Sequence, residues 1–257
     1  EQKQGSRDGS LIGKGSLTKE EQSAAMLMVT TIGNKLSNDI RLVDKKAEFN
    51  PEGKLVSVAN KVIEEYENSK DIKGTQLIFS DIGTPKTGKV FDDVLSYLED
   101  EKNIDFDTIN LIFGEPNEET GERATKPVKQ IRERIKEYLE YSDTEIDFVF
   151  EEAKNNSLSS FNTYNEIKRL LISKGIPSEE IAFIHDYKNK NKRKALFADV
   201  NSGKVRVVIG STQKLGTGVN VQKRIVAMHH VDAKWTPADM EQRNGRGIRQ
   251  GNINTEV

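Results

Sequence analysis

Apolar positions along this chain follow two rhythms. Leu55, Val58, Ala59, Val62, Ile63 and Tyr66 recur at helical spacing and predict an amphipathic helix with one packing face. Thr18-x-x-Glu21 predicts a capping box opening another helix through Ala24, Leu27, Met28 and Ile32. Elsewhere the apolar residues are contiguous and the runs short: QLIFS at 76–80, IAFIH at 181–185, VRVVIG at 205–210 and IVAMHH at 225–230. Such runs predict buried strands. Helical stretches lie between them at 161–174, closed by Gly175, and at 190–200. Short continuous strands alternating with helices predict an α/β protein with a parallel sheet covered on both faces.

Residues 87–159 fit that alternation poorly. They hold a helix near 90–101, an acidic turn, a charged helix near 128–141 and a strand-like run at 146–150. The helix from 161 would follow naturally from the strand at 76–80 without them, so the segment reads as an α+β insertion into the sheet domain. Residues 1–17 are polar and Gly/Ser-rich and read as a flexible N-terminal segment. Residues 38–53 are irregular. This leaves 18–86 and 160–257 as one interrupted domain.

Composition narrows the chemistry. The 257 residues contain no cysteine, which excludes a disulfide scaffold, a thiolate zinc site and a cysteine nucleophile. With only His185, His229 and His230, no metal site is expected. No apolar stretch approaches the roughly 20 residues needed to span a bilayer, and the polar start is unlike a signal peptide; the expectation is a cytoplasmic protein with no membrane partner. The missing initiator methionine and the abrupt end at Asn-Thr-Glu-Val suggest a piece of a longer chain. The net charge of −2 hides an asymmetry, because residues 181–257 carry 14 Lys+Arg against 6 Asp+Glu. A basic end suits a polyanionic partner, although a solvated charged face accounts for it as well.

Two segments of that basic end carry candidate chemistry. After the strand at 205–210 come Ser211-Thr212 and then Gly216-Thr217-Gly218-Val219-Asn220. A parallel strand delivers such residues to the crevice where ligands bind, and small residues there let backbone amides and hydroxyls approach a phosphate. A plain glycine-rich turn explains the segment equally well. It is not a dinucleotide fingerprint, because the third glycine is missing. The second segment is Gln242-x-x-Gly245-Arg246-x-x-Arg249-x-Gly251. On a helix its two arginines project to one side, and their planar forks suit the oxygens of a terminal phosphate. The alternative is a solvated basic helix end. His229 and His230 are adjacent on a strand, point to opposite faces and read as structural. Lys188–Lys194 could hold DNA or simply begin a solvated helix.

Trp235, Pro237, Gln242, Arg246, Arg249 and Gly251 stand at the spacings found in the second RecA-like lobe of superfamily-two helicases, and the sequence resembles the Swi/Snf-type translocases among them. The 76–86 segment (QLIFSDIGTPK) is similar to that family's motif IV, and 211–220 to its motif V. More narrowly, TQLIFSDIGTPK, GIPSEEIAFIHD, IGSTQKLGTGVNVQ and EQRNGRGIRQGN resemble the large methylase–helicase proteins of phages and conjugative elements. The resemblance covers about 18–86 and 160–257.

The resemblance implies a RecA-like lobe of an ATP-dependent DNA helicase or translocase. ATP and Mg2+ would be held mainly by a first, N-terminal helicase lobe of the same parent chain. No G-x-x-x-x-G-K-[ST] loop occurs in this sequence, since Gly13-Lys14-Gly15-Ser16 has the wrong spacing, and no acidic pair ends an apolar strand. The chain is therefore not expected to hydrolyse ATP alone. The family's roles carry over to Arg246 and Arg249 as arginine fingers with Gln242 in support, and to Gly216, Gly218, Asn220 and Gly245 on the nucleotide side. Ser211, Thr212, Lys214, Thr84 and Lys86 would touch the backbone of double-stranded DNA without reading its sequence. Trp235 would pack beside the arginine segment. A degenerate lobe serving as a protein-interaction module through 87–159 is the competing expectation.

Overall fold

A computed structural model describes residues 18–85, 89–118, 122–157, 161–216, 221–233, 237–245 and 251–254. Its centre is a four-stranded sheet, all parallel, with β1 (Thr75–Phe79), β2 (Ile181–Phe183), β3 (Val207–Gly210) and β4 (Ile225–His230) in the order β2-β3-β1-β4. The four runs read from the sequence are these strands: β4 coincides with its run, β1 is shifted by one residue, and β2 and β3 are each two residues shorter. The predicted RecA-like α/β architecture is present.

Strand alternation sorts the core into two layers. Ile78, Val207 and Ile209 face α2 (Lys54–Asn68) and α7 (Thr163–Ser173). Leu77, Phe79 and Val208 face the other way, towards α8 (Lys190–Ser202) and the short α9 (Thr212–Gly216). Leu77, Ile78 and Phe79 expose no surface, so each contributes about 1.5–3 kcal/mol by burial. In α2 the buried residues are Leu55, Ala59, Val62 and Tyr66, one stripe of the predicted face. Asn162 and Asn189 cap α7 and α8 by accepting from the Asn165 and Lys192 amides at 2.8 Å.

Between β1 and α7 the chain leaves the sheet and builds a helical body. It comprises α3 (Val90–Ser96), a wider helical turn through Tyr97–Glu101, α4 (Phe106–Phe113), α5 (Val128–Leu139) and α6 (Asp143–Ser157). These helices share their own core, centred on Val94, Tyr97, Ile112, Ile135 and Val149. The strand expected at 146–150 is part of α6. Its buried apolar residues are Ile146, Val149 and Ala153, a helical stripe that the apolar run concealed. Among the described residues this body is therefore helical rather than α+β.

The N-terminal helix, α1 (Lys19–Asn38), lies against α6. The Ser23 hydroxyl donates to Glu145 at 2.6 Å, and Lys35 pairs with Glu152. At the neck, the Thr163 amide donates to the Gly83 carbonyl at 3.0 Å, so the chain departs and returns at one point. Gly83 has φ +70°, and a Cβ there would sit 2.3 Å from the Thr163 hydroxyl, a place only glycine fills. The last of the described helices, α10 (Pro237–Asn244), follows β4. Among the described residues no helix is long and apolar enough to cross a membrane.

Candidate functional site at the carboxyl edge of the sheet

The carboxyl ends of β1, β3 and β4 converge on one buried arginine. Arg243 of α10 has no exposed side-chain surface. Its Nε donates to the Thr212 hydroxyl at 2.6 Å and its Nη1 to the Asp232 carbonyl at 2.7 Å. Nη2 donates to Asp81 Oδ2 and Asp232 Oδ1, both at 2.7 Å. Asp81 also accepts from the Thr212 amide at 2.6 Å and hydroxyl at 2.9 Å. Asp232 Oδ2 accepts from the Asp81 amide at 2.6 Å. One guanidinium thus ties the exits of three strands to α10.

Two carboxylates against one arginine leave this knot acidic. Burial, then repulsion from Asp81, raises the Asp232 pKa against the pull of Arg243. Lys54 supplies a further cation close by. Its Nζ donates to the Val231 carbonyl at 2.9 Å and to Asn38 at 3.1 Å, and burial lowers its pKa while Asp232 opposes the shift. Beneath the knot, the Tyr164 hydroxyl donates to the Ser80 carbonyl at 2.7 Å.

A second polar group joins the sheet edge to the helical body. His185 Nε2 lies 3.2 Å from Asp100 Oδ2, and Lys214 Nζ lies 3.4 Å from Glu99 Oε2. Burial works to raise the Asp100 pKa, yet Lys214, His185 and the Ser211 hydroxyl together hold it below the usual carboxylate range. Lys214 is raised: burial opposes its charge, and Asp100 and Glu99 more than compensate.

The predicted site residues divide three ways. Thr84, Ser211 and Thr212 are buried. The Thr212 hydroxyl is held between Asp81 and Arg243, and that of Ser211 faces Asp100. Lys214 keeps part of its surface at a cleft beside the helical body. Gln242 lies in α10, Gly216 ends α9, and Gly245 follows α10 with its amide bonded to the Glu241 carbonyl at 2.8 Å. Lys86, Gly218, Asn220, Trp235, Arg246 and Arg249 lie outside the described residues. Among the described residues of this segment, Arg243 is the side chain joined to the strand ends.

Sequence reading passed over Arg243, which fills a variable position of the pattern around it. The available signal was an arginine beside Gln242 in a chain with an aspartate after two of its apolar strand runs, Asp81 and Asp232. The two histidines do face opposite ways. His229 Nε2 lies 2.7 Å from Gln76, whose amide reaches the Val62 carbonyl of α2, while His230 stacks on Phe79 at 5.5 Å. Among the described residues no group of three or more His, Cys, Asp or Glu is placed to hold a metal ion.

Comparison with known proteins adds a domain match. Residues 133–251 match the family model described as the helicase conserved C-terminal domain, so a superfamily-two helicase C-terminal domain is present in this chain. The match begins inside α5 and takes in β2, β3 and β4 as far as the arginine segment, leaving β1 outside it. Over 60 residues the chain is 37% identical to the "Defense against restriction protein B" of Escherichia phage P1. That alignment covers 23% of this chain and 3% of the phage protein, so the chain spans a small fraction of that relative. No solved structure matches.

Proposed function

We propose that this chain is the C-terminal motor lobe of an ATP-dependent DNA translocase of the Swi/Snf-like kind. The observation that carries the reading is the coincidence of the helicase C-terminal match with the Arg243 knot. The match runs to residue 251, across the segment that holds Gln242, Arg246 and Arg249. That segment begins on a helix anchored by Arg243 to the exits of three strands.

In this reading Arg246 and Arg249 brace the terminal phosphate of ATP when a first lobe closes on this one, with Gln242 as a polar support. Gly216, Gly218, Asn220 and Gly245 line the nucleotide side. Magnesium would belong with the first lobe in this reading; the two carboxylates at the sheet edge, Asp81 and Asp232, are engaged by Arg243. Backbone contact with DNA falls to Lys214 and Lys86, because the hydroxyls of Ser211 and Thr212 are engaged inside the protein. Residues 87–159 form an insertion that leaves and rejoins the lobe at the Gly83–Thr163 neck. The likeness to a phage protein supports a mobile-element origin.

The test is ATP hydrolysis by the natural full-length polypeptide, with and without double-stranded DNA, for wild type and Arg249→Ala. An arginine finger contributes about 10³–10⁵ in rate, or roughly 4–7 kcal/mol. DNA-stimulated turnover should collapse on that scale in the variant while the melting temperature holds. Turnover indifferent to Arg249 would defeat the assignment. A second reading, an interaction module acting through 87–159, draws on the exposed apolar residues of the helical body: Phe106, Leu111 and Val128 are each about half exposed. Unchanged parent activity without Arg249, together with a partner bound to that body, would favour it.

A further inference from the structure

A cleft of about 1630 Å³ opens between the helical body and the start of α8. Its α8 wall carries Lys188, Lys190, Arg193 and Lys194, and its opposite wall carries Arg123 and Lys126. Around the whole cleft cations outnumber carboxylates. Among the described residues Lys126, Lys188, Lys190 and Lys194 take part in no ion pair.

The cations sit where the fold itself disfavours them. The first turn of α8 contains no acidic residue, so its lysines face the positive end of the helix dipole. Lys190 and Lys194 are also like charges four residues apart. On the opposite wall, burial and then repulsion from Arg134 and Arg123 lower the Lys126 pKa. An anion lying in the cleft would relieve all of these at once. The cleft also has aromatic walls: Phe106 is 47% exposed, with the Arg123 guanidinium 5.7 Å from its ring centre, and Phe197 stands among the α8 cations.

We infer that this cleft binds a single strand of nucleic acid, with phosphates on Lys188, Lys190, Lys194 and Lys126 and unpaired bases against Phe106 and Phe197. A positively charged groove with aromatic rings is the physical form of a sequence-tolerant single-strand site. A duplex hides its base faces and would leave the rings unused. The inference rests on the nucleic-acid reading above, and it gives the helical body a role in gripping the strand that the sheet edge alone does not supply.

The test is fluorescence anisotropy of the 257-residue chain with a labelled oligothymidylate of ~16 nucleotides and with a duplex of equal length. The triple variant Lys188→Gln, Lys190→Gln, Lys194→Gln should bind the single strand about tenfold or more weakly at low salt. Its log–log salt slope should fall by about 2, at ~0.7 for each phosphate no longer neutralised. Phe106→Leu should cost about tenfold, the scale of one stacked base. Lys192→Gln, exposed on the same turn but outside the cleft, should change little. Binding that ignores the cleft variants would overturn this site while leaving the ATPase reading of Arg249 standing. Duplex bound as tightly, with the same sensitivity to the triple variant, would overturn the single-strand assignment. No binding to either probe would overturn the site and remove the DNA contact from the proposed function as well.

Discussion

Arg243 Nη2 donates to Asp81 Oδ2 at 2.7 Å across 162 positions of sequence. The bond links the last described helix to the exit of the first strand. Because both groups are buried, the cost of taking them out of water offsets much of their mutual attraction. Removing either partner strands the other.

Arg243→Met tests that asymmetry. It leaves Asp81 and Asp232 facing each other without a cation between them. Breaking a buried pair in this way costs about 3–5 kcal/mol, roughly a 10 °C fall in melting temperature for a chain of this size. Thermal unfolding followed by circular dichroism reads it directly. Arg243→Met combined with Asp81→Asn should recover part of the loss, since one buried charge then goes with its partner.

Thr212 separates an internal role from a phosphate contact. Thr212→Val removes the hydroxyl that accepts from Arg243 and donates to Asp81. The expected cost is about 1–3 kcal/mol for the groups left unpaired, with Thr212→Ser close to wild type. If Thr212 served chiefly to hold a DNA phosphate, Thr212→Val would instead leave chemical denaturation unchanged and lower the salt dependence of binding.

Stability should fall on mild acidification. Burial lowers the pKa of all three histidines from 6.5: His229 to about 4, with His185 and His230 moved in the same direction. The unfolded chain therefore takes up protons first as pH drops below 6.5. The stability these neutral rings supply is full above 6.5 and is lost as pH falls towards about 4. For His229 that amounts to at most about 3 kcal/mol. Urea midpoints between pH 7 and 4.5 should fall steadily, and His229→Gln should flatten the fall.

The neck predicts what excision does. With Gly83 and Thr163 already hydrogen-bonded at 3.0 Å, a short Gly/Ser linker in place of residues 86–160 closes without strain. The excised protein should keep its parallel sheet and unfold cooperatively. Helix α1 should lose protection in hydrogen exchange, because its partners Glu145 and Glu152 leave with α6. Loss of the sheet itself would show that the helical body is part of the lobe's core.

How much of this was readable beforehand follows from the reach of each interaction. The strands, α2 and α7 were legible because their signals are local: a contiguous apolar run, a helical stripe, a glycine at a helix end. The run at 146–150 misled because Ile146, Phe148, Val149 and Phe150 crowd together with a single polar residue among them; only the burial of Ala153, one turn further on, marks the helix. Arg243 escaped because nothing within its own segment distinguishes it from the arginines that follow. Its meaning comes from Asp81, 162 residues away, and from Asp232, eleven away. The link of Lys214 and Ser211 to Glu99 and Asp100 was hidden for the same reason: it crosses between a sheet and a body that the sequence reading kept apart.

The strand order carries a consequence for how the chain acquires its structure. β1 ends at residue 79, yet it pairs with β3 and β4, which begin at residues 207 and 225. Its partners emerge from the ribosome only after most of the chain has been made. The helices from 90 to 157 depend mainly on near neighbours and can collapse at once, as short-range contacts form fastest. During synthesis the apolar β1 waits beside a body that can already have folded, and α10, the last of the described helices, closes the sheet edge by delivering Arg243 after the four strands.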